Sequence, residues 1–268
     1  MASPNLHPTA VVAEGARIGD GATIGPYCVI GPRVEIGSGV ELSSHIVVEG
    51  RTQIKSGTKV GPFTTLGMPA QHLAAGTEDA ELIIEEDAFI GEQVSIHRGT
   101  DTGSGMTTIE KGAYVMAAVH VGHDCRIGAG TIVGSNASFG GHCTVEEGVF
   151  IGGLAALHQR VRIGAYSIVG GASAVEADVI PFGAVAGNRA KLIGLNLVGM
   201  KRRSFSRDKI RTMRNAYKTL FMGDGNFADR LSCIEKEYAE DPDVMRIVGF
   251  INAKRARSLL GPEKSSDG

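Results

Sequence analysis

HVGHDCRIGAGTIVGSNASFGGHCTVEEGVFIGG, residues 120–153, keeps one beat: an apolar residue every six positions. Extended both ways, the series runs Ile109, Val115, Val121, Ile127, Val133, Phe139, Val145, Ile151, Leu157, Ile163, Val169 and Val175. In a chain that is 43% hydrophobic, twelve hits in twelve have a chance of about 4 in 100,000, which decides the period. Glycine often follows the apolar residue, as at Gly122, Gly128, Gly134 and Gly140. Small residues stand four places on, as at Cys125, Thr131, Ala137 and Cys143. Six is neither the helical period nor strand alternation; it is the hexapeptide signature of a parallel β-helix. Each hexad then supplies a short strand and a turn, three make one coil, and residues 18 apart stack inside.

Upstream the frame is already running at Leu6, Val12, Ile18 and Ile24, and it continues to Leu66. GMPAQHLAAGTEDAE, residues 67–81, breaks it, and TDTGSGMT, residues 100–107, breaks it again with a shift of one residue. Interruptions in a solenoid map to loops on one face, where binding tends to sit. The glycines are expected at turn positions where a Cβ would be strained. After Val175 the repeat stops. Ser206 is a plausible N-cap, with Ile210, Met213, Tyr217, Leu220 and Phe221 at helical spacing up to Gly223. Residues 226–238 and 243–260 read as two more helices separated by Pro242, with a frayed tail at 261–268. The expected organisation is a mainly β part, a parallel β-helix at 1–190, followed by a small α-helical domain at 191–268.

Composition narrows the class. A formal net charge of −2 gives no global pull towards nucleic acid or anionic membrane. No N-terminal signal pattern and no apolar run long enough for a bilayer are present, so a cytoplasmic protein that is not integral to a membrane is expected. Cys28, Cys125, Cys143 and Cys233 form no CxxC, and three of them occupy the small-residue slot. They read as buried free thiols.

The coil rule gathers the histidines. His142 lies 18 beyond Asp124, and His158 lies 18 beyond Gly140. After the one-residue shift, His97 falls one coil below Gly122, beside His123. Together with His120 these line one edge. An imidazole bonded to a carboxylate can activate a hydroxyl or water, and His123 beside Asp124 is the first choice. Each histidine alone reads as a surface turn residue; the cluster reads as a site. No GxSxG elbow and no activated cysteine is present, so direct attack without a covalent intermediate is simpler. Three histidines could form an open zinc site, but the HxxH of His120 and His123 is weak support, and no metal or other cofactor is expected. Lys201, Arg202 and Arg203, followed by Arg207, Lys209, Arg211 and Arg214, make a basic corner. It reads equally as a solvated helix face or as a clamp for phosphates or an acidic partner.

SIHRGT (95–100), HVGHDC (120–125), GGHCTV (140–145), LHQ (157–159) and GMKRRSFSRDKIRTMRNAYK (199–218) together resemble the UDP-N-acetylglucosamine O-acyltransferases that begin lipid A synthesis. The resemblance implies a left-handed β-helix and a homotrimer with active sites between subunits. It implies transfer of an R-3-hydroxyacyl chain from acyl carrier protein to the 3-hydroxyl of UDP-N-acetylglucosamine. Carried over by position, His123 is the general base and Asp124 orients it. Gln71, His97, His120, His142, His158 and Gln159 line the cleft, and Gly141 and Gly153 suit backbone contacts to the thioester or acyl group. Asn196, Arg202 and Arg203 fall at nucleotide-binding positions. Gly171 sits at the acyl-length ruler, where glycine leaves the groove open for a long chain, and Arg189 is a second place for a length limit. His72, Ala74 and Val198 depart from the family pattern, so both a 3-hydroxyl and a 3-amino sugar nucleotide stay open as acceptors. Three rivals are weighed: the N-acylating second acyltransferase of the pathway, a β-helical zinc carbonic anhydrase and a non-catalytic scaffold. The first usually carries an extra N-terminal domain, whereas here the repeat begins by Leu6.

Overall fold

A computed structural model describes residues 2–73 and 75–262. Ala74 and the tail from residue 263 onward lie outside the described residues. The hexads wind into a left-handed parallel β-helix with three faces. Among the described residues these are sheets of 11, 9 and 8 strands, in which every third strand of the sequence is the next neighbour, except at the upper end of the eleven-stranded sheet. Register follows the 18-residue coil: Ile24 pairs with Leu42, Val115 with Val133, and Val133 with Ile151. The apolar beat faces inward. Ile30, Leu66, Ile96, Val121, Ile127 and Ile151 are all at most 1% exposed. Burying each such side chain contributes roughly 1.5–3 kcal/mol, and Ile127→Asp would lose that while stranding an unpaired carboxylate in the core. The first rung is half covered, with Leu6 44% exposed.

The small-residue slot has a second use. Thr64 Oγ1 donates to the Gly91 carbonyl at 2.9 Å, and Thr131 Oγ1 to that of Glu146 at 3.1 Å. The thiols of Cys28, Cys125 and Cys143 do the same to Ser43, Gly140 and His158. Each ties its turn to the coil above, and all three thiols are free and buried. The glycines after the apolar beat need a different explanation from the expected one. Gly25 and Gly128 are not in the left-handed region; a Cβ there would overlap the backbone of Ser43 or Glu146 in the next coil. Close stacking of turns, rather than a positive φ, requires them. The left-handed residue comes two places later and is often not glycine: Tyr27, His45, Asp124, His142 and Arg160 have φ between 57° and 66°.

Both interruptions leave at one corner. Val60 pairs with Ile90, 30 positions on, and Ile90 with Val115, 25 positions on, instead of 18. The first insertion joins strands Thr65–Met68 and Glu81–Ile84, and the second joins Ser95–His97 and Met106–Ile109. Each passes from the nine-stranded to the eight-stranded sheet. At the upper end, Gly183–Ala186 pairs antiparallel with Lys191–Leu195, so the eleven-stranded sheet runs past residue 190.

Among the described residues four helices follow: α1 (Leu197–Arg202), α2 (Arg207–Met222), α3 (Phe227–Glu237) and α4 (Pro242–Asn252). Ser206 caps α2 by accepting from the Lys209 N–H, and Asn226 caps α3 from that of Asp229. Helix α1 was not legible in the apolar run; Asn196 caps it. Helix α4 begins at Pro242, with Asp241 as N-cap, and ends eight residues short of the expected Leu260. The chain is captured there by the coil: the Asp178 N–H donates to the Ser258 carbonyl, and Leu260 N–H to that of Asp178. No helix among the described residues is long and apolar enough to cross a membrane.

Candidate active site

The corner that carries both insertions also carries His120–Val121, Ser138–Phe139 and Ala156–Leu157 into their turns. Asp124, His142 and Arg160 occupy the same left-handed turn position in three successive coils. The coil rule is thereby realised in space. His123 Nδ1 is 2.7 Å from Asp124 Oδ2, the His123 and His142 rings are 4.9 Å apart and T-shaped, and His142 Nδ1 is 3.9 Å from the same carboxylate oxygen.

The Asp124 side chain is fully buried yet well served. The second insertion supplies the Thr100 hydroxyl (2.7 Å) and N–H (3.2 Å), the Ser104 hydroxyl (3.0 Å) and the Gly105 N–H (3.1 Å). A Cβ at Gly103 would run into the carboxylate. Burial alone would raise the Asp124 pKa, but the hydrogen bonds from His123, Thr100 and Ser104 outweigh it and hold it down at about 2. The carboxylate is therefore anionic and fixes the His123 tautomer: Nδ1 donates, leaving Nε2 as the basic nitrogen. Gly141 makes the room, since a Cβ there would stand 2.5 Å from Nε2.

A second histidine pair backs the first. The His97 and His120 rings are 5.0 Å apart, and His120 Nδ1 is 2.7 Å from the Ser95 hydroxyl. Burial, followed by His120 and His123, lowers the His97 pKa to about 4. Burial also lowers that of His120, and burial with Arg160 lowers that of His142. From the first insertion His72 comes edge-on to His123 at 5.6 Å, while Gln71 beside it is exposed. His123, Asp124 and His142 lie close enough together to bracket a metal ion. The Asp124 carboxylate already accepts from five donors.

The remaining expected residues lie elsewhere. His158 and Gln159 are on the same edge one coil above His142, exposed and gripped by Arg257. Arg257 bonds the His158 Nδ1 at 2.5 Å and the Gln159 carbonyl at 3.0 Å. Gly153 and Gly171 sit on a different corner, between the eleven- and nine-stranded sheets, stacked so that a Cβ on Gly171 would be 3.2 Å from the Gly153 carbonyl. Arg189 is exposed near Glu176 at 3.7 Å. The Asn196 amide donates to the Tyr166 carbonyl at 2.9 Å and accepts from Gly199 N–H at 2.9 Å. Arg203 lies over the Tyr166 ring at 3.7 Å, and Arg202 is exposed. Sequence reading missed Thr100, Ser104, Ser95 and Arg257. For the first two the signal was available, because the second insertion must leave at the corner of His123.

Comparison with known proteins completes the description. Residues 178–260 match the model of UDP N-acetylglucosamine O-acyltransferase domain 2, and residues 15–50 and 106–141 match that of the bacterial transferase hexapeptide (six repeats). The acyl-[acyl-carrier-protein]–UDP-N-acetylglucosamine O-acyltransferase of Caulobacter vibrioides is 49% identical over 97% of this chain and 99% of its own. That of Sinorhizobium fredii is 40% identical over 100% and 99%. Among solved structures, the O-acyltransferase of Moraxella catarrhalis superposes with a TM-score of 0.91 at 35% identity, covering 95% of this chain and 99% of that one.

Proposed function

The chain belongs to the UDP-N-acetylglucosamine O-acyltransferase family, and from that membership we propose that it transfers an R-3-hydroxyacyl chain from acyl carrier protein to the 3-hydroxyl of UDP-N-acetylglucosamine, the first step of lipid A biosynthesis. The observation that carries the mechanism is the 2.7 Å bond from His123 Nδ1 to a buried, saturated Asp124. As the sugar hydroxyl attacks the thioester carbonyl, His123 Nε2 takes its proton and Asp124 stabilises the imidazolium. The tetrahedral intermediate then collapses, the C–S bond breaks, and the proton passes from Nε2 to the leaving thiolate. General-base action of this kind contributes about 10²–10⁴-fold. The Gly141 N–H is the donor proposed for the developing oxyanion.

His97, His120 and His142, with pKa values lowered by burial, are neutral near pH 7 and serve as contacts rather than as competing proton stores. Gln71, His158 and Gln159 extend the cleft. Arg202 and Arg203 hold the nucleotide phosphates, with Asn196 placing their helix. Gly153 and Gly171 shape the acyl groove, and the bare Gly171 supports a long chain. Those two glycines occupy another corner of the prism than His123, which supports a homotrimer in which one protomer's glycine corner faces its neighbour's histidine corner. The exposed Arg207, Arg211 and Arg214 of α2 leave the rest of the basic corner for the acidic carrier.

Mass spectrometry of products from UDP-N-acetylglucosamine and mixed acyl carrier protein thioesters tests the reading, since one spectrum reports acceptor, ester or amide linkage, and chain length. An ester of a long R-3-hydroxyacyl chain is expected, and its loss in His123→Ala. Unchanged transfer by that variant would overturn the mechanism.

A further inference from the structure

The two insertions are one mechanical unit, and its joint is Arg98. This side chain is only 8% exposed, and its fork is used on main-chain carbonyls. Nη1 donates to the Gly67 carbonyl at 2.7 Å and Nε to that of Thr77 at 2.6 Å, with Nη2 3.3 Å from the Thr77 hydroxyl. Gly67 opens the first insertion and Thr77 lies in its returning limb, so one guanidinium draws the two limbs together. Its seat depends on Gly50, where a Cβ would overlap the guanidinium. A second tie lies next to it: Asp101 accepts from the Gly76 N–H at 3.0 Å, and its own N–H donates to the Gly76 carbonyl at 2.9 Å. Arg98 and Asp101 belong to the same run whose next residues, Thr100, Ser104 and Gly105, hold Asp124. The loop that brings His72 to His123 is thus mounted on the loop that orients the base.

We infer that Arg98 is a positioning residue for the acceptor: by clamping both ends of residues 67–77 it sets the wall of the sugar-nucleotide pocket over His123. This rests on the reading of His123 as the site of proton abstraction from the acceptor. Lysine in place of Arg98 keeps the charge but offers a single compact donor group, which cannot bridge the two carbonyls as the planar fork does. In Arg98→Lys, the amides of residues 70–73 and 75–79 should exchange hydrogen faster while those of the coils above stay protected. The KM for UDP-N-acetylglucosamine should rise about tenfold, the size of one lost charge-assisted hydrogen bond, with the KM for the acyl carrier protein thioester within twofold. Asp101→Ala, at an exposed position, should move both readouts the same way but less, and it serves if the buried substitution impairs folding. Unchanged exchange in this loop, or acceptor and donor KM rising together, would overturn the inference. The exchange arm needs no substrate, so it separates failure of the clamp from failure of the His123 mechanism.

Discussion

Two corners of this molecule bury an aspartate side chain completely, and they do so for different ends. At the histidine corner, Asp124 is held by hydroxyls, N–H groups and one imidazole. At the joint between the coil and the helices, Asp178 is held by Arg162, through Nε at 2.7 Å and the backbone N–H at 2.9 Å. Arg162 also donates to the Phe250 carbonyl and lies 4.3 Å over its ring, tying α4 to the last coil. A guanidinium never gives up its proton, so the joint is permanent. An imidazole takes and releases one near neutrality, which is what the proposed mechanism asks of the histidine corner. The same acid is a fixed bolt beside a guanidinium and, on the proposed mechanism, an orienter beside an imidazole.

The sharpest way to break this contrast is Asp124→Asn, which keeps the shape but no longer selects the Nδ1–H tautomer. Acyl transfer should fall about 10⁴-fold, as for the equivalent change in a catalytic triad, with a much smaller effect on thermal unfolding; activity retained by that variant would deny the carboxylate its role. At the other corner, Arg162→Met should cost about 3–5 kcal/mol of stability by stranding a buried carboxylate. Denaturant unfolding reads that loss, and activity per folded molecule should persist below the transition.

Acid sharpens the comparison further. His97 in the folded chain titrates at about 4, below its ordinary 6.5. The unfolded chain therefore binds the extra proton first, and stability that is full above pH 6.5 is lost as pH falls to 4, by about 3 kcal/mol. Asp124 has its folded pKa at about 2 against an ordinary 3.8. Its contribution is present above pH 3.8 and disappears as pH falls towards 2, a further loss of about 2 kcal/mol. Unfolding free energy measured between pH 7 and 4 should fall less steeply in His97→Gln. The smallest effect belongs to the outer surface: Arg126→Ala, breaking the exposed pair with Glu110 at 2.5 Å, should change stability by less than about 1 kcal/mol. A larger loss would mean that this pair is not an ordinary solvated ion pair.

Much of the architecture was legible beforehand because a solenoid is nearly one-dimensional: a period of six and a repeat of 18 carry register without distant contacts. That is why His142 could be set above Asp124, and His97 beside the pair, by counting. Counting failed where the chain leaves the period. It located the breaks at 67–81 and 100–107 but not that Thr100 and Ser104 turn inward onto Asp124, nor that His72 reaches His123. Helix α4 stopped early because Asp178 competes for residues 258–260, a contact some 80 positions away in sequence that no local propensity contains.

Sequence by itself determined the prism, its inward beat and the edge on which imidazoles gather, since each follows from spacing along the chain. Only the tertiary structure decided which hydrogen-bond donors saturate Asp124, why glycine must follow the beat, and how the two insertions bear on each other. Those depend on separate turns meeting in space, where a donor's direction and the absence of a Cβ count for more than position in the repeat.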